Sequence, residues 1–419
     1  MNAAKVISAF DGMACGMLAM MEAEVQVEQY AAYEIDKFAV KTSSHNFPDI
    51  EHKGDVFQAD FTEFSGFDFL VGGSPCTYWS IAQKNNRETV ASGMGWELFS
   101  QYVRALHESK PRFFIYENNK SMSDAIRASI TETFGFEPIC INSALVSAQN
   151  RRRLYWVGKR NEDGSYSKVH VEQPEDRGIL LKDVLDEAVA IREKGNCLCG
   201  NRGGTSLGHD LKESRHNYAA VPVNDTADRK SQCLRASCYK DGIRNMVGND
   251  IDRKTCVAER VPEYGDADKA RCVTASYANK GDGEGSLATE AFPNNPNKQV
   301  RDYVAEELPG FAIAVEWDEE GRPTAAVSPA DGKRHPVYEV NNGFITIKGK
   351  KYAIKLADGY WIIRKLTVSE CKRLQTVPEW YEFPVSDTQA YKMLGNGWTV
   401  SVIAHLIRAC LESGGSNER

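Results

Sequence analysis

Cys76 lies in Gly72-Gly73-Ser74-Pro75-Cys76-Thr77-Tyr78-Trp79-Ser80, a run of turn residues directly after the apolar stretch Phe67 to Val71. A thiolate is the softest nucleophile among the side chains, and loops at strand ends expose such groups where a packed core does not. The alternative is an inert, buried thiol. Glu117, in Tyr116-Glu117-Asn118, closes a second apolar stretch, Arg112 to Tyr116. A carboxyl group held against Phe114 and Tyr116 is favoured in its protonated form, which suits proton exchange with a ring nitrogen. Taken alone, the Glu-Asn pair could equally cap a helix. In Gln149-Asn150-Arg151-Arg152-Arg153, alternate residues of an extended chain point to one side, so Gln149, Arg151 and Arg153 share a face. A solvated basic run is the other reading.

A second set of residues has the chemistry of a nucleotide-like site. Phe10-Asp11-Gly12-Met13-Ala14-Cys15-Gly16 follows the first apolar stretch, Lys5 to Phe10. Its small residues let a backbone approach a ligand at an electropositive helix start, or simply make a tight turn. Glu34 ends the next stretch, where an acidic side chain suits ribose hydroxyls. Asp55, in Gly54-Asp55-Val56, repeats the pattern after a third. Three such positions in order point to a cofactor containing a nucleoside.

The elements that must position these residues alternate. Apolar runs at Lys5–Phe10, Gln29–Ile35, Phe67–Val71, Arg112–Tyr116 and Leu154–Val157 are interleaved with helical patterns such as Cys15–Met21 and a helix led by Asp36. This predicts an α/β fold with a doubly wound, mostly parallel sheet, whose sites gather at the carboxyl ends of strands. From about residue 161 to 363, Gly, Asn, Asp and Lys become frequent and helical periodicity fades. Gly343 to Ile363 predicts short strands with turns at Lys348-Gly349-Lys350 and Asp358-Gly359, so this region reads as an inserted, irregular, β-rich domain. Thr367 with Glu370 forms a capping box for a helix through Leu374. Thr399 to Leu411 is a closing amphipathic helix, and the tail Ser413 to Arg419 is expected to be disordered.

A chain of 419 residues, 42% hydrophobic and 26% charged, has the composition of a soluble globular protein with two domains or one large insertion. No apolar run reaches the length a bilayer requires, and the first ten residues lack the pattern of a signal peptide. The expectation is a cytoplasmic chain, monomeric in solution, with its 11 cysteines mostly reduced. A formal charge of −7 points away from a uniformly basic nucleic-acid binder, but a basic cleft on an acidic body is ordinary. Cys197, Cys199, Cys233 and Cys238 do not have the paired spacing of a zinc site, so free thiols and no metal are expected.

In order, the pieces are FDGMACG, Glu34, GDV, SPC, YEN and QNRRR, then a long insert, then RKLTVSECKRLQTVP (364–378) and LGNGWTV (394–400). That order resembles the DNA (cytosine-5)-methyltransferases over residues 1–160 and 360–410, about half the chain. The first 120 residues are especially similar to the animal de novo enzymes, and the end of the insert is more like bacterial and phage members. The resemblance implies a catalytic, S-adenosylmethionine-binding domain over 1–160 with 385–419, and a target-recognition domain over 161–384. It implies that Phe10, Asp11, Gly12, Met13, Glu34, Asp55, Val56, Leu98, Asn396 and Trp398 surround S-adenosyl-L-methionine. Cys76 would be the nucleophile, Glu117 and Arg153 would hold the target cytosine, and Arg151 would support the site. Residues 77–95 would close over double-stranded DNA, with Ser80 and Gln83 near the displaced base. The setting would be a bacterial cytoplasm, with the chain encoded by the bacterium, a phage or a prophage, as in restriction-modification systems. Asn119, Ala148 and Gly397 depart from the family's usual valine, proline and serine.

The chemistry fits the residue types. Carbon 5 of cytosine is a poor nucleophile until a thiolate adds at carbon 6 and an acid meets nitrogen 3. The base must leave the duplex to be reached, which takes a few kcal/mol. Two alternatives remain. A tRNA cytosine-5 methyltransferase would keep the fold, but the large insert favours a reader of duplex DNA. A catalytically silent DNA-binding regulator would not need Cys76, Glu117 and Arg153 together.

Overall fold

The computed structural model describes residues 3–80, 87–186, 189–190, 231–232, 256–260 and 313–415, apart from positions 319, 321, 329, 331, 348–349 and 354–357. The first part of the chain runs through β1 (Ala4–Ala9), α1 (Cys15–Glu22), β2 (Val27–Tyr33), α2 (Lys37–Asn46), β3 (Glu51–His52), β4 (Phe69–Gly72) and α3 (Met94–Ser109). It continues through β5 (Phe113–Asn119), α4 (Asp124–Phe134), β6 (Ile139–Asn142), β7 (Gln149–Asn150), β8 (Arg152–Arg160) and β9 (Tyr166–Lys168). The sheet order is β3-β2-β1-β4-β5-β8-β6, with β9 also on β8. Pairings from β3 to β5 are parallel, and β8 runs antiparallel to β5, β6 and β9. The chain winds outward in both directions from β1 and β4. This is the expected doubly wound sheet, with its switch point between those two strands.

Both faces are covered, which is why these strands are near-continuous apolar runs. Successive side chains alternate between two cores. Phe69 and Val71 of β4, with Phe113 and Ile115 of β5, pack with Leu18 and Ala19 of α1. Leu70, Phe114 and Tyr116 face the other way, onto Phe99 and Tyr102 of α3 and Ile126, Ile130 and Phe134 of α4. Asp36 caps α2 by accepting from Phe38 N at 2.9 Å, and Ser123 caps α4 by accepting from Ile126 N at 3.2 Å.

The insert contributes a second, antiparallel sheet. Its strands are β10 (Val189–Ala190), β12 (Cys256–Arg260), β13 (Ile313–Trp317), β14 (Pro323–Val327), β15 (Arg334–Asn341), β16 (Phe344–Ile347), β17 (Lys350–Ala353) and β18 (Gly359–Lys365), and the short β11 (Ser231–Gln232) pairs with β7 instead. The chain then forms α5 (Val368–Leu374), α6 (Asp387–Asn396) and α7 (Val400–Gly415). The Thr367–Glu370 capping box is present, with Glu370 N donating to Thr367 Oγ1 at 3.1 Å and Thr367 N to Glu370 Oε2 at 2.7 Å. Ile403, Leu406, Ile407 and Cys410 of α7 join the α1 side of the first core. Leu181, Val184, Leu366, Leu374, Val377 and Tyr381 enter the same core, so both ends of the insert are built into the first domain.

Candidate active site

β4 ends at Gly72, and the loop after it must run close against β5. A Cβ on Gly73 would lie 2.8 Å from the Glu117 carbonyl oxygen and 2.9 Å from Glu117 Oε2, so only glycine allows this approach. Buried Ser74 shares a hydrogen bond with Tyr116 Oη at 2.7 Å. Asn118 Nδ2 donates to Ser74 O, Ser74 Oγ and Tyr116 Oη at 3.3, 3.3 and 3.1 Å. Cys76 then opens one turn of tight helix, Cys76–Tyr78, and is partly exposed. The amides of Trp79 and Ser80 return to the Cys76 carbonyl at 3.2 and 2.9 Å. The Trp79 side chain is fully buried, so the loop is anchored on both sides of the thiol.

Glu117 is buried at the end of β5. In the β5–β8 ladder it lies opposite Tyr155, while Arg153 lies opposite Asn119. Arg153 is therefore a diagonal neighbour of Glu117 on the same face, and its Nε meets Glu117 Oε1 at 3.0 Å. Trp398 Nε1 donates to Glu117 Oε2, also at 3.0 Å. Arg151 and Arg153 are buried and Arg152 between them is exposed, the alternation expected of an extended chain. Arg151 donates to the carbonyls of Gly395 and Gly397 at 3.2 and 2.8 Å. Burial, and then the like charge of Arg153, lower the proton affinity of its guanidinium, while Glu117 and Cys76 act in the opposite sense. Asn119, the departure next to this cluster, is buried and bonded to Asn118 and Ser121.

At the same edge of the sheet, the turn after β1 takes left-handed backbone at Phe10, Gly12 and Ala14. Gly12 N donates to Glu34 Oε2 at 2.9 Å, and Glu34 Oε1 accepts from the amides of Ile35 and Asp36 at 2.8 and 2.7 Å. Asp11 is buried and accepts from Tyr30 Oη at 2.7 Å through Oδ1. Neither its Oδ2 nor the nearby Ser8 hydroxyl makes a hydrogen bond of ordinary geometry. Burial pushes the Asp11 carboxyl up to about 7. Asp55, after β3, accepts from Phe57 N at 3.0 Å, and Val56 is buried. The expected residues thus gather as two groups, Cys76 with Glu117, Arg151, Arg153 and Trp398, and Asp11 with Gly12 and Glu34. Met13 is buried behind the turn, Leu98 is partly buried in α3, and Asn396 is exposed at the end of α6. Ser80 closes the Cys76 turn, and Gln83 lies outside the described residues.

Several residues at the site carried no readable role in the sequence. Asn118 and Ser74 hold the Cys76 loop to β5. Tyr381, buried just beyond α5, donates to the Met13 carbonyl at 2.6 Å across 368 positions. The indole of Trp398 reaches Glu117 across 281 positions. The motifs placed Ser74, Asn118 and Trp398 near the chemistry but not these contacts, because partners this distant leave no local pattern. Among the described residues no cluster of His, Cys, Asp or Glu could hold a metal ion. Cys197, Cys199, Cys233 and Cys238 lie outside them. No helix among the described residues is long and apolar enough to cross a membrane.

Comparison with known proteins agrees with this geometry. Residues 4–412 match the family model described as C-5 cytosine-specific DNA methylase. The orphan methyltransferase M.SPRI of Bacillus phage SPR is 34% identical, over 99% of this chain and 98% of its own. The type II methyltransferase M1.ScrFI of Lactococcus lactis subsp. cremoris is 31% identical, over 58% of this chain and 64% of its own. A crystal structure of a Spodoptera frugiperda DNMT2 mutant, 14% identical, shares the fold with a TM-score of 0.50 over 98% of this chain and all of its own. With the family match spanning nearly the whole chain, and a relative 34% identical along almost its full length, the protein belongs to the C-5 cytosine-specific DNA methylases and is a DNA (cytosine-5)-methyltransferase.

Proposed function

We propose that this enzyme transfers a methyl group from S-adenosyl-L-methionine to carbon 5 of a cytosine flipped out of a specific duplex DNA sequence, through a covalent adduct with Cys76. The observation that carries this reading is the buried Arg153–Glu117–Trp398 cluster directly beside the Cys76 loop. The Cys76 thiolate adds to carbon 6 of the base. Glu117 supplies a proton to nitrogen 3, and Arg153 binds the ring oxygen, so the ring becomes enamine-like and carbon 5 nucleophilic. Carbon 5 takes the methyl group with S-adenosylhomocysteine as the leaving group; its proton then passes to water, the carbon 5–carbon 6 double bond re-forms as Cys76 leaves as thiolate, and nitrogen 3 returns its proton to Glu117. Arg151 supports this pocket from behind by holding the Gly395–Gly397 turn.

The residues present fit the cofactor. Asp11 offers a buried carboxyl oxygen, Oδ2, that makes no hydrogen bond of ordinary geometry. Glu34 is held by three backbone amides in one orientation toward ribose hydroxyls. Ile35 and Phe57, 75% and 41% exposed beside Glu34 and Val56, give an apolar rim suited to a purine. Phe10, Gly12, Met13, Asp55, Val56, Leu98, Asn396 and Trp398 complete the site. The bound cofactor supplies an electrophilic methyl group on a sulfonium centre. Ser80 and Gln83 are assigned to the DNA, and sequence reading to the insert within 161–384; the burial of Val184 and Leu366 in the first core supports a reading segment that lies between them.

Expression in a bacterium that lacks DNA methylation, followed by bisulfite sequencing, tests this reading. The expected result is 5-methylcytosine at one sequence context. Unmodified cytosines throughout with folded protein present, or labelling of tRNA and not of duplex DNA, would overturn it.

A further inference from the structure

Trp398 belongs to the turn assigned to the cofactor, yet its indole points to the base pocket. Nε1–H donates to Glu117 Oε2 at 3.0 Å, and Arg153 Nε takes Oε1 at 3.0 Å. A carboxylate rotates readily about its last torsion. Here each oxygen has its own donor, from a different element, and two charge-assisted bonds fix the plane of the group. The donor is itself held firmly. Arg151 binds the carbonyls on both sides of Asn396, and the Trp398 backbone amide bonds the thiol of Cys15. A Cβ on Gly397 would lie 3.1 Å from Cys15 Sγ, so the absence of the usual serine lets this turn sit against the α1 start.

We propose that Trp398 is the positioning residue that aims Glu117 at nitrogen 3 of the cytosine. The inference rests on the reading of Glu117 as the group that meets the base. Without the indole N–H, Arg153 alone holds the carboxyl group, which then swings about a single bond. Misplacement of a reacting group by about an ångström can lower a rate by on the order of 100-fold.

The test is Trp398→Phe in the full chain, which keeps an aromatic ring and removes the N–H. Methyl transfer is measured with labelled S-adenosylmethionine on unmethylated plasmid DNA, and S-adenosylhomocysteine binding by calorimetry. The expected result is a kcat lowered by about 10- to 100-fold, with cofactor KM and S-adenosylhomocysteine affinity held within about twofold. A kcat unchanged within about twofold, or a loss carried wholly by cofactor affinity, overturns the proposal. A second measurement needs neither activity nor that variant. In nitrogen-15 spectra of the protein alone, one of the seven tryptophan indole signals is expected to move on Glu117→Gln, as its N–H loses the carboxyl oxygen it donates to. If none moves, the proposal fails. If the wild type methylates no DNA, the functional reading fails, and the indole spectrum alone decides the role of Trp398.

Discussion

Two thiols flank the Trp398 turn and Glu117, and they differ in exposure. Cys15 is buried under the turn that carries Trp398, and loss of water pushes it up to about 12, so it stays a neutral packing group. Cys76 is partly exposed, on the loop that packs against Glu117. Cys76→Ala is expected to lower methyl transfer by at least about 1,000-fold, since no other group can make the bond to carbon 6. Transfer above that level, with label found at carbon 5 in the product DNA, would remove Cys76 from the role. Asp11 makes a different kind of prediction. Its carboxyl sits at about 7 in the fold against an ordinary 3.8, chiefly because burial disfavours the charge. Between those values the folded chain keeps a proton that the unfolded chain releases. The favourable contribution is therefore complete below about 4 and is lost as the pH rises through about 7, then stays flat. Each pH unit of the window is worth about 1.4 kcal/mol, so roughly 4 kcal/mol in all. Asp11→Asn does not titrate. In urea unfolding, the stability difference between variant and wild type should shift toward Asp11→Asn by up to that amount from pH 4 to 8. A constant difference would mean that Asp11 titrates as an ordinary aspartate.

At the scale of elements, β5 supports the site from two directions. Its outer end carries Glu117, and Asn118 ties the neighbouring Cys76 loop to it. Asn118→Ala leaves the Cys76 loop tied to β5 only through the Ser74–Tyr116 bond and removes the second tie that Asn118 makes to Ser74. Breaking bonds of a buried polar group costs about 1–3 kcal/mol of stability. The larger effect should be on the reaction: kcat lowered about 10- to 100-fold by a displaced thiol, with cofactor affinity little changed. Steady-state kinetics with a cofactor-binding measurement would show it, and a loss confined to cofactor binding would contradict this role of the tie. The strands that bear these residues were legible because each is buried on both faces, which writes Phe67 to Val71 and Arg112 to Tyr116 as apolar runs. The sequence also marked Asp36 and Thr367 as caps, because capping is a local event. It did not reveal that β8 runs antiparallel, nor that Tyr381 and Trp398 reach Met13 and Glu117. Strand direction and contacts hundreds of positions apart are decided by the packed whole and leave no period in the chain.

For the whole molecule, the informative feature is how the insert joins the first domain. Its two stems are clamped together. Arg373 Nη1 binds Asp186 Oδ1 at 2.6 Å and the Val184 carbonyl at 3.0 Å, and Asp186 N donates to Glu370 Oε1 at 2.9 Å. Entry and exit therefore lie side by side, and what hangs between them can change without altering the ends. The resemblance implies a domain over 161–384, but Leu181, Val184, Leu366, Cys371, Leu374, Val377 and Tyr381 inside it are buried in the first core. Burying an apolar side chain of this size is worth about 1.5–3 kcal/mol. Their combined loss is on the order of 10–20 kcal/mol, as large as the whole stability of a typical domain. Exchange of residues 187–365 for the matching segment of the phage SPR relative should therefore give a folded enzyme. It should methylate the relative's sequence at a rate within about tenfold of the parent. Exchange of 161–384 makes a mismatched core and should unfold at lower urea or fail to fold. Bisulfite sequencing reads the first outcome and urea denaturation the second. A narrow chimera that keeps the parent's sequence preference would place recognition outside the insert. Equal stability of the two chimeras would place the domain boundary at 161 and 384 rather than at the Asp186–Arg373 clamp.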